Sequence, residues 1–120
     1  MLINELAKQT ELSIHTIRYY ENLGLIRGIK DPQVRTNNYK HYDQESMQRL
    51  EIIKEAKQVG LTLAQTRDLL KAWFENNQSK TQTRKIFETK ILEIDKKMAQ
   101  FRQIKKRLKK VLDSLDQDAC

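Results

Sequence analysis

Apolar residues recur along the chain in short helical periods, each closed by a polar or glycine break, until about residue 80; one longer period then runs almost to the end. Leu2, Ile3, Leu6 and Ala7 share a face of a first short helix over Ile3 to Lys8, which closes at Gln9, Thr10 and Glu11. Ser13 suits the N-cap of a second helix, because its hydroxyl accepts from an otherwise unpaired amide of the first turn; this helix runs to about Leu23, and Gly24 ends it. Two short helices joined by a tight turn predict a helix-turn-helix over about residues 3–23. Leu25 to Ile29 and Tyr39 to Tyr42 read as the two strands of a β-hairpin wing, about 26–42, around a loop rich in turn formers (Gly28, Asp31, Pro32, Asn37, Asn38).

Asp43 then caps a third helix with the stripe Met47, Leu50, Ile53 (or Ile52) and Ala56. Thr62 to Gln65 has capping-box spacing and opens a fourth helix, whose expected buried face is Leu69, Leu70, Trp73 and Phe74. Residues 1–75 are thus expected to form one winged helix-turn-helix domain, with the pair of helices at 43–75, and residues 76–80 a linker.

From 81 to 116 the apolar positions keep a seven-residue beat, ahead of a short tail at 117–120. With Ile91 at position a, the seam is Ile91, Met98, Lys105 and Leu112 at a, and Phe87, Ile94, Phe101, Leu108 and Leu115 at d. Only Lys105 interrupts it, together with Arg84 if the register is carried back one heptad before Ile91. A domain of about 75 residues is too small to cover such a length, so the stripe predicts a homodimer through Phe87, Ile91, Ile94, Met98, Phe101, Leu108, Leu112 and Leu115. Periodicity leaves parallel and antiparallel pairing open. The fold class is mainly α, in keeping with only three Gly and one Pro.

Charge changes the picture in one respect. The chain carries a net charge of +7, which favours a polyanionic partner. The excess lies mostly in Lys96 to Lys110, where long basic side chains can cover a coiled-coil seam with their stems and keep their heads in water. No run reaches the roughly 18 apolar residues of a membrane span, and the start lacks a secretory pattern, so a cytoplasmic protein without membrane contact is expected. No nucleophile–base pair, phosphate-cradling glycine loop or pocketed carboxylate pair is evident, so no enzyme is expected. His15 and His41 have no acidic or thiol partner at metal-ligand spacing.

The second helix carries the candidate chemistry. With Ile17 at the centre of its buried face, Ile14, Tyr20 and Glu21 fall within about 60° of it, and His15, Arg18, Tyr19 and Asn22 on the other side. One permanent cation, one phenol and two smaller hydrogen-bonding groups are what a recognition helix needs: Arg bonds guanine acceptors or a phosphate, His or Asn reaches base edges, and a phenol donates to a phosphate oxygen. The wing adds Arg35, Tyr39, Lys40, His41 and Tyr42.

The segments "INELAKQTELSIHTIRYYENLGLI" and "RTNNYKHYDQESMQRLEIIKEAKQVGLTLAQTRDLL" resemble the MerR family of bacterial transcription regulators, from Leu2 to about Trp73. The motifs T-I-R-Y-Y-E-x-x-G-L, N-Y-x-x-Y and G-[FL]-[ST]-L-x-x-[IT] stand in that family's order and spacing. The resemblance implies a homodimer whose long helices pair antiparallel on double-stranded promoter DNA. It further implies that the dimer bends and untwists an unusually long spacer so that bacterial RNA polymerase uses both promoter elements, in response to an effector. The DNA-contacting set it implies, with the outer-face reading, is Ser13, His15, Thr16, Arg18 and Tyr19 from the helix and Arg35, Tyr39, Lys40 and Tyr42 from the wing.

Where the family's wing reads N-G-Y-R, this chain has Asn37, Asn38, Tyr39 and Lys40. Asn38 tolerates a left-handed turn, and Lys40 keeps the charge without the two-pronged fork. Metal-sensing members use cysteines after the long helix, and some use one near its start; here the start has Ser79, and Cys120 is the only cysteine. Cys120 is the first ligand of a metal loop continuing past residue 120, or a lone redox- or electrophile-sensing thiol, or without a role. A metal ion is open to this chain only if further ligands follow it. The competing reading is a coiled-coil adaptor whose N-terminal domain binds protein, leaving the outer face of the second helix idle on DNA.

Overall fold

The computed structural model describes residues 1–30 and 40–118. Arg35 and Tyr39 of the wing, and Cys120, lie outside the described residues. The chain divides into two compact units, Met1–Ser79 and Lys80–Cys120. The first holds α1 (Ile3–Thr10), α2 (Ile14–Asn22), β1 (Ile29–Lys30), β2 (Lys40–His41), α3 (Gln44–Gln58) and α4 (Leu63–Leu70); the second is α5 (Lys80–Asp118).

Each turn of the first unit is set by local chemistry. Glu11 ends α1 in the left-handed region at φ 57°, returning its N–H to the Ala7 carbonyl. Ser13 Oγ then accepts the Thr16 N–H at 3.0 Å and starts α2. Gly24, at φ 77°, closes α2, with its own N–H on the Glu21 carbonyl at 2.9 Å and that of Leu25 on the Tyr20 carbonyl at 3.0 Å. Asp43 caps α3 through the Ser46 N–H, and Thr62 and Gln65 form a reciprocal capping box on α4.

Leu6, Ile17, Tyr20, Leu25, Ile26, Tyr42, Leu50, Ile53 and Leu70 pack into one core. Leu25 and Ile26, expected to open the first strand, instead turn inward as core residues, and pairing is confined to Ile29 opposite His41 and Lys30 opposite Lys40. The backbone carbonyls freed by that inward turn are bonded from α3: Arg49 Nη1 donates to Leu25 O at 3.1 Å, and Ser46 Oγ to Arg27 O at 3.2 Å. Arg49 also pairs with Glu45 and lies 4.6 Å from the Phe74 ring centroid. Lys54 reaches the Thr10 carbonyl at 2.5 Å, fastening the helix-turn-helix to α3.

Trp73 corrects one expectation. After Leu70 the helix widens into a π turn over Lys71–Glu75, closed by the Asn76 N–H on the Lys71 carbonyl at 3.0 Å. The wider turn moves the next side chains out of a regular α period, so Ala72 takes the buried place, Trp73 is 39% exposed, and Phe74 is half-buried against the core. Asn77 and Gln78 follow, both in left-handed conformation.

β2 is fixed to α2 by one carboxylate. Glu21 Oε2 accepts from Lys40 Nζ at 2.5 Å, and its other oxygen accepts from the Tyr42 hydroxyl. Burial alone would raise the Glu21 carboxyl; the bonds from Lys40 and Tyr42 and the charges of Lys40 and Arg18 outweigh it and hold the pKa below its ordinary value. Burial, then the bond and charge of Glu21, push the Tyr42 phenol well above its ordinary range. The pair also answers a local conflict, since Lys30 stands directly opposite Lys40 and like charges so placed repel. Gly28 has to be small here: a Cβ would meet Lys40 Cδ at 2.9 Å and the Tyr42 ring at 3.1 Å.

Two outcomes test this packing. Leu50, fully buried, should cost about 2–5 kcal/mol as Leu50→Ala, read from the urea midpoint at unchanged slope. Glu21→Gln keeps the shape without the charge and should cost about 1–2 kcal/mol at neutral pH. Because the folded-state pKa of Glu21 is lowered from 4.5, its contribution is complete above that value and is lost as pH falls through the lowered one. The gap between wild type and variant should therefore be full at about pH 7 and shrink as the pH falls below 4.5; a gap that does not shrink would contradict the assignment.

Candidate nucleic-acid interface

α2 offers solvent a continuous polar face. His15, Arg18, Tyr19 and Asn22 are exposed on one side of it, while Ile17 and Tyr20 are buried on the other. Tyr19 is 54% exposed, and its ring rests against Tyr20 with centroids 5.6 Å apart and planes inclined at 53°. Tyr20 thus serves packing, and the ring contact constrains where the Tyr19 hydroxyl points. Ser13 and Thr16 sit at the first turn with their hydroxyls bonded at 2.8 Å, the serine donating. Ser13 is therefore occupied as a cap, whereas the Thr16 hydroxyl keeps its own proton for an outside acceptor.

On the wing side, the structure separates residues that the sequence groups together. Tyr42, assigned to the DNA-contacting set, is 3% exposed, and its hydroxyl is bonded to Glu21. It is a core residue, because the chain after β2 turns under the hairpin and its N–H pairs with the Met1 carbonyl at 2.7 Å. Lys40 remains partly accessible, with its side chain 32% exposed, yet its charge is matched by Glu21. Arg27 and Lys30 are exposed cations on the same connection. The sequence reading gave neither of them a role.

Glu21 is the functional residue that the sequence reading left without a role. The signal was present: an acid within about 60° of the centre of a buried face needs a cation or a donor to stay there. With Glu21 holding Lys40 and Tyr42, α2 and β2 form one rigid platform with the polar face of α2 outward. That surface suits an extended polyanion approached along α2: Arg18 supplies charge and a fork of donors, Tyr19 and Thr16 supply hydroxyls, and His15 and Asn22 can meet base edges. Among the described residues no group of three His, Cys, Asp or Glu is placed to hold a metal ion, and no helix is long and apolar enough to cross a membrane.

Comparison with known proteins agrees with this geometry. Residues 1–73 match the MerR HTH family regulatory protein profile, and residues 47–111 match the profile described as MerR, DNA binding. The HTH-type transcriptional regulator HmrR of Rhizobium leguminosarum bv. viciae is 30% identical over 108 residues, covering 90% of this chain and 81% of the relative. The HTH-type transcriptional regulator ZntR of Escherichia coli (strain K12) is 30% identical over 114 residues, covering 93% and 78%. Among solved structures, the transcription regulator PbrR691 from Ralstonia metallidurans CH34, in complex with lead(II), superposes with a TM-score of 0.75 at 27% identity, over 90% of this chain and 82% of that one. These relatives are named as transcription regulators, and the chain belongs to the MerR family of DNA-binding transcription regulators.

Proposed function

We propose that this regulator acts as a homodimer, with one α2 entering the major groove at each half of a promoter operator. The observation that carries the reading is the outer face of α2, where His15, Arg18, Tyr19 and Asn22 are exposed on a helix pinned from behind by Ile17, Tyr20 and Glu21. Arg18 reads guanine or grips a phosphate, Tyr19 and Thr16 donate to phosphates, and Arg27 and Lys30 add charge beside the wing. Arg35 and Tyr39 belong to the same DNA-facing set by family resemblance. Lys40 contributes chiefly by holding the wing, since its charge is already matched.

The second support is α5. Its a and d side chains stand in solvent, from Phe87 at 39% exposure to Phe101 at 66%, a stripe that only another helix covers efficiently. A dimer built on it would set two copies of α2 at a fixed spacing and, in the cytoplasm, distort a long promoter spacer so that RNA polymerase uses both promoter elements. A metal ion or a reactive species is the effector class to test, and the metal has one support: a similar protein in Rhizobium meliloti (strain 1021) is named heavy metal-dependent transcription regulator 2. A protein-docking adaptor has less support, because the exposed face carries the donor set of a recognition helix.

Binding of the full chain to a duplex from its own upstream promoter tests the proposal. Affinity should fall steeply as salt rises, Arg18→Ala should weaken it by roughly tenfold or more, and Tyr19→Phe by roughly fivefold; the salt slope should drop by about one for each phosphate that a variant no longer engages. Both side chains are exposed, so thermal midpoints should fall only slightly, Arg18→Ala the more because its charge supports the Glu21 carboxylate. Affinity that ignores salt and both substitutions would refute DNA recognition through α2.

A further inference from the structure

α5 is a single helix of 39 residues, and its charges are not spread evenly. Lys96 to Lys110 holds eight cations and no acid; Glu93 and Asp95 stand just before this run, and Asp113 and Asp116 just after it. The apolar seam divides these cations into two sets, whatever covers it. Lys105 lies in the seam, and Lys97, Arg102 and Lys109 flank it at e and g, where their stems can shield apolar neighbours. Lys96, Lys106, Arg107 and Lys110 stand at b, c and f, on the side turned away from the seam, and all are exposed. The other outward residues between them are Ala99, Gln100 and Gln103.

The outward set is electrostatically unbalanced within its own helix. No acid lies within four residues of Lys106 or Arg107 in either direction, so neither has a partner at the spacings where helical side chains meet. Like charges meet there instead: Lys106 with Arg102 and Lys110 at four residues and with Lys109 at three, and Arg107 with Lys110 at three. Acids reach only the ends of the stripe, Glu93 three residues before Lys96 and Asp113 three residues after Lys110. Glu93 already lies 3.4 Å from Lys90 Nζ. Among the described residues no ion pair engages Lys106, Arg107 or Lys110. Each like pair weakens the helix, and a surface that serves solubility alone intersperses the two signs.

We infer that Lys96, Lys106, Arg107 and Lys110 grip the phosphate backbone of duplex DNA, a sequence-independent contact additional to the outer face of α2 and independent of the operator reading. The stripe runs about 21 Å along a rigid helix. Duplex DNA carries a charge about every 1.7 Å of its axis, so the cations find phosphates without a fixed register. A lysine ammonium is a point charge that reads no base by itself, and the amides of Gln100 and Gln103 can donate to the same oxygens. The chemistry of the face also selects among polyanions. It has no aromatic ring to stack an unpaired base, and no large apolar anchor for a protein partner or a lipid surface.

Titrating a fluorescent duplex of scrambled sequence with the full chain at low salt tests the contact. Lys106→Gln, Arg107→Gln and Lys110→Gln together should weaken binding roughly tenfold and lower the salt slope by about two to three. Lys106→Arg, Arg107→Lys and Lys110→Arg together keep the charges and should bind as wild type does. Lys57→Gln, Lys71→Gln and Lys80→Gln remove the same charge from exposed sites elsewhere and should cost less than about twofold. The first triple relieves like-charge pairs, so its thermal midpoint should not fall. Its effect should persist when Arg18→Ala and Tyr19→Phe are already present, which separates this contact from recognition through α2; a failure of operator recognition alone leaves it standing. Equal losses in the first and third triples, a loss in the charge-preserving one, or a lost affinity that comes with a lowered midpoint would each overturn the inference. So would polyglutamate that competes, charge for charge, as well as unlabelled duplex, since the stripe would then belong to an acidic protein surface.

Discussion

The outer face of α2 depends on one carboxylate. Glu21 lies on the inward side of α2, where an unpaired acid would be costly, and it stays there because Lys40 of β2 and Tyr42 just after it both donate to it. The interaction works in both directions. It neutralises the lysine that faces Lys30 across the hairpin, and it keeps α2 from rolling so as to bury Arg18 or Tyr19. A two-residue ladder would not by itself define a wing; the helix beneath it does.

What the sequence revealed was chiefly what is decided within three or four residues. Ser13, Asp43 and Thr62 cap the helices they were expected to cap, because a hydroxyl or carboxylate reaching the amide three residues ahead needs nothing from the rest of the fold. The seven-residue beat of α5 is equally local. Tyr42 was misplaced for the opposite reason: its position is set by α2, twenty-one residues earlier, and by the turn of the chain under the hairpin, which no short-range pattern reports. Trp73 was misplaced because a regular helical period was carried through a π turn, and one extra residue in a turn changes the face of everything beyond it. Leu25 and Ile26 show the limit of alternation as a strand signal, since two adjacent apolar residues fit an inward turn as well as an extended strand.

The two units obey different energetics. Residues 1–79 bury a core and satisfy their polar groups internally, with no buried side-chain nitrogen or oxygen left unbonded among the described residues. α5 holds its backbone bonds but leaves its apolar stripe exposed, and a helix of that kind gains most of its stability from association. On the homodimer reading its stability is a function of protein concentration, whereas that of the first unit is a property of one chain.

Arg49 joins three parts of the first unit through a single side chain: the Leu25 carbonyl just beyond the recognition helix, Glu45 in its own helix, and the Phe74 ring on the wide turn. Changes at these places cannot be independent. A substitution of Phe74 alters the guanidinium that also bonds the Leu25 carbonyl, so its effect depends on what occupies position 45 and on the path of the chain after α2. The exit of α2 and the turn that precedes α5 are thus one thermodynamic unit, tied through a single arginine on α3 that lies away from the outer face of α2.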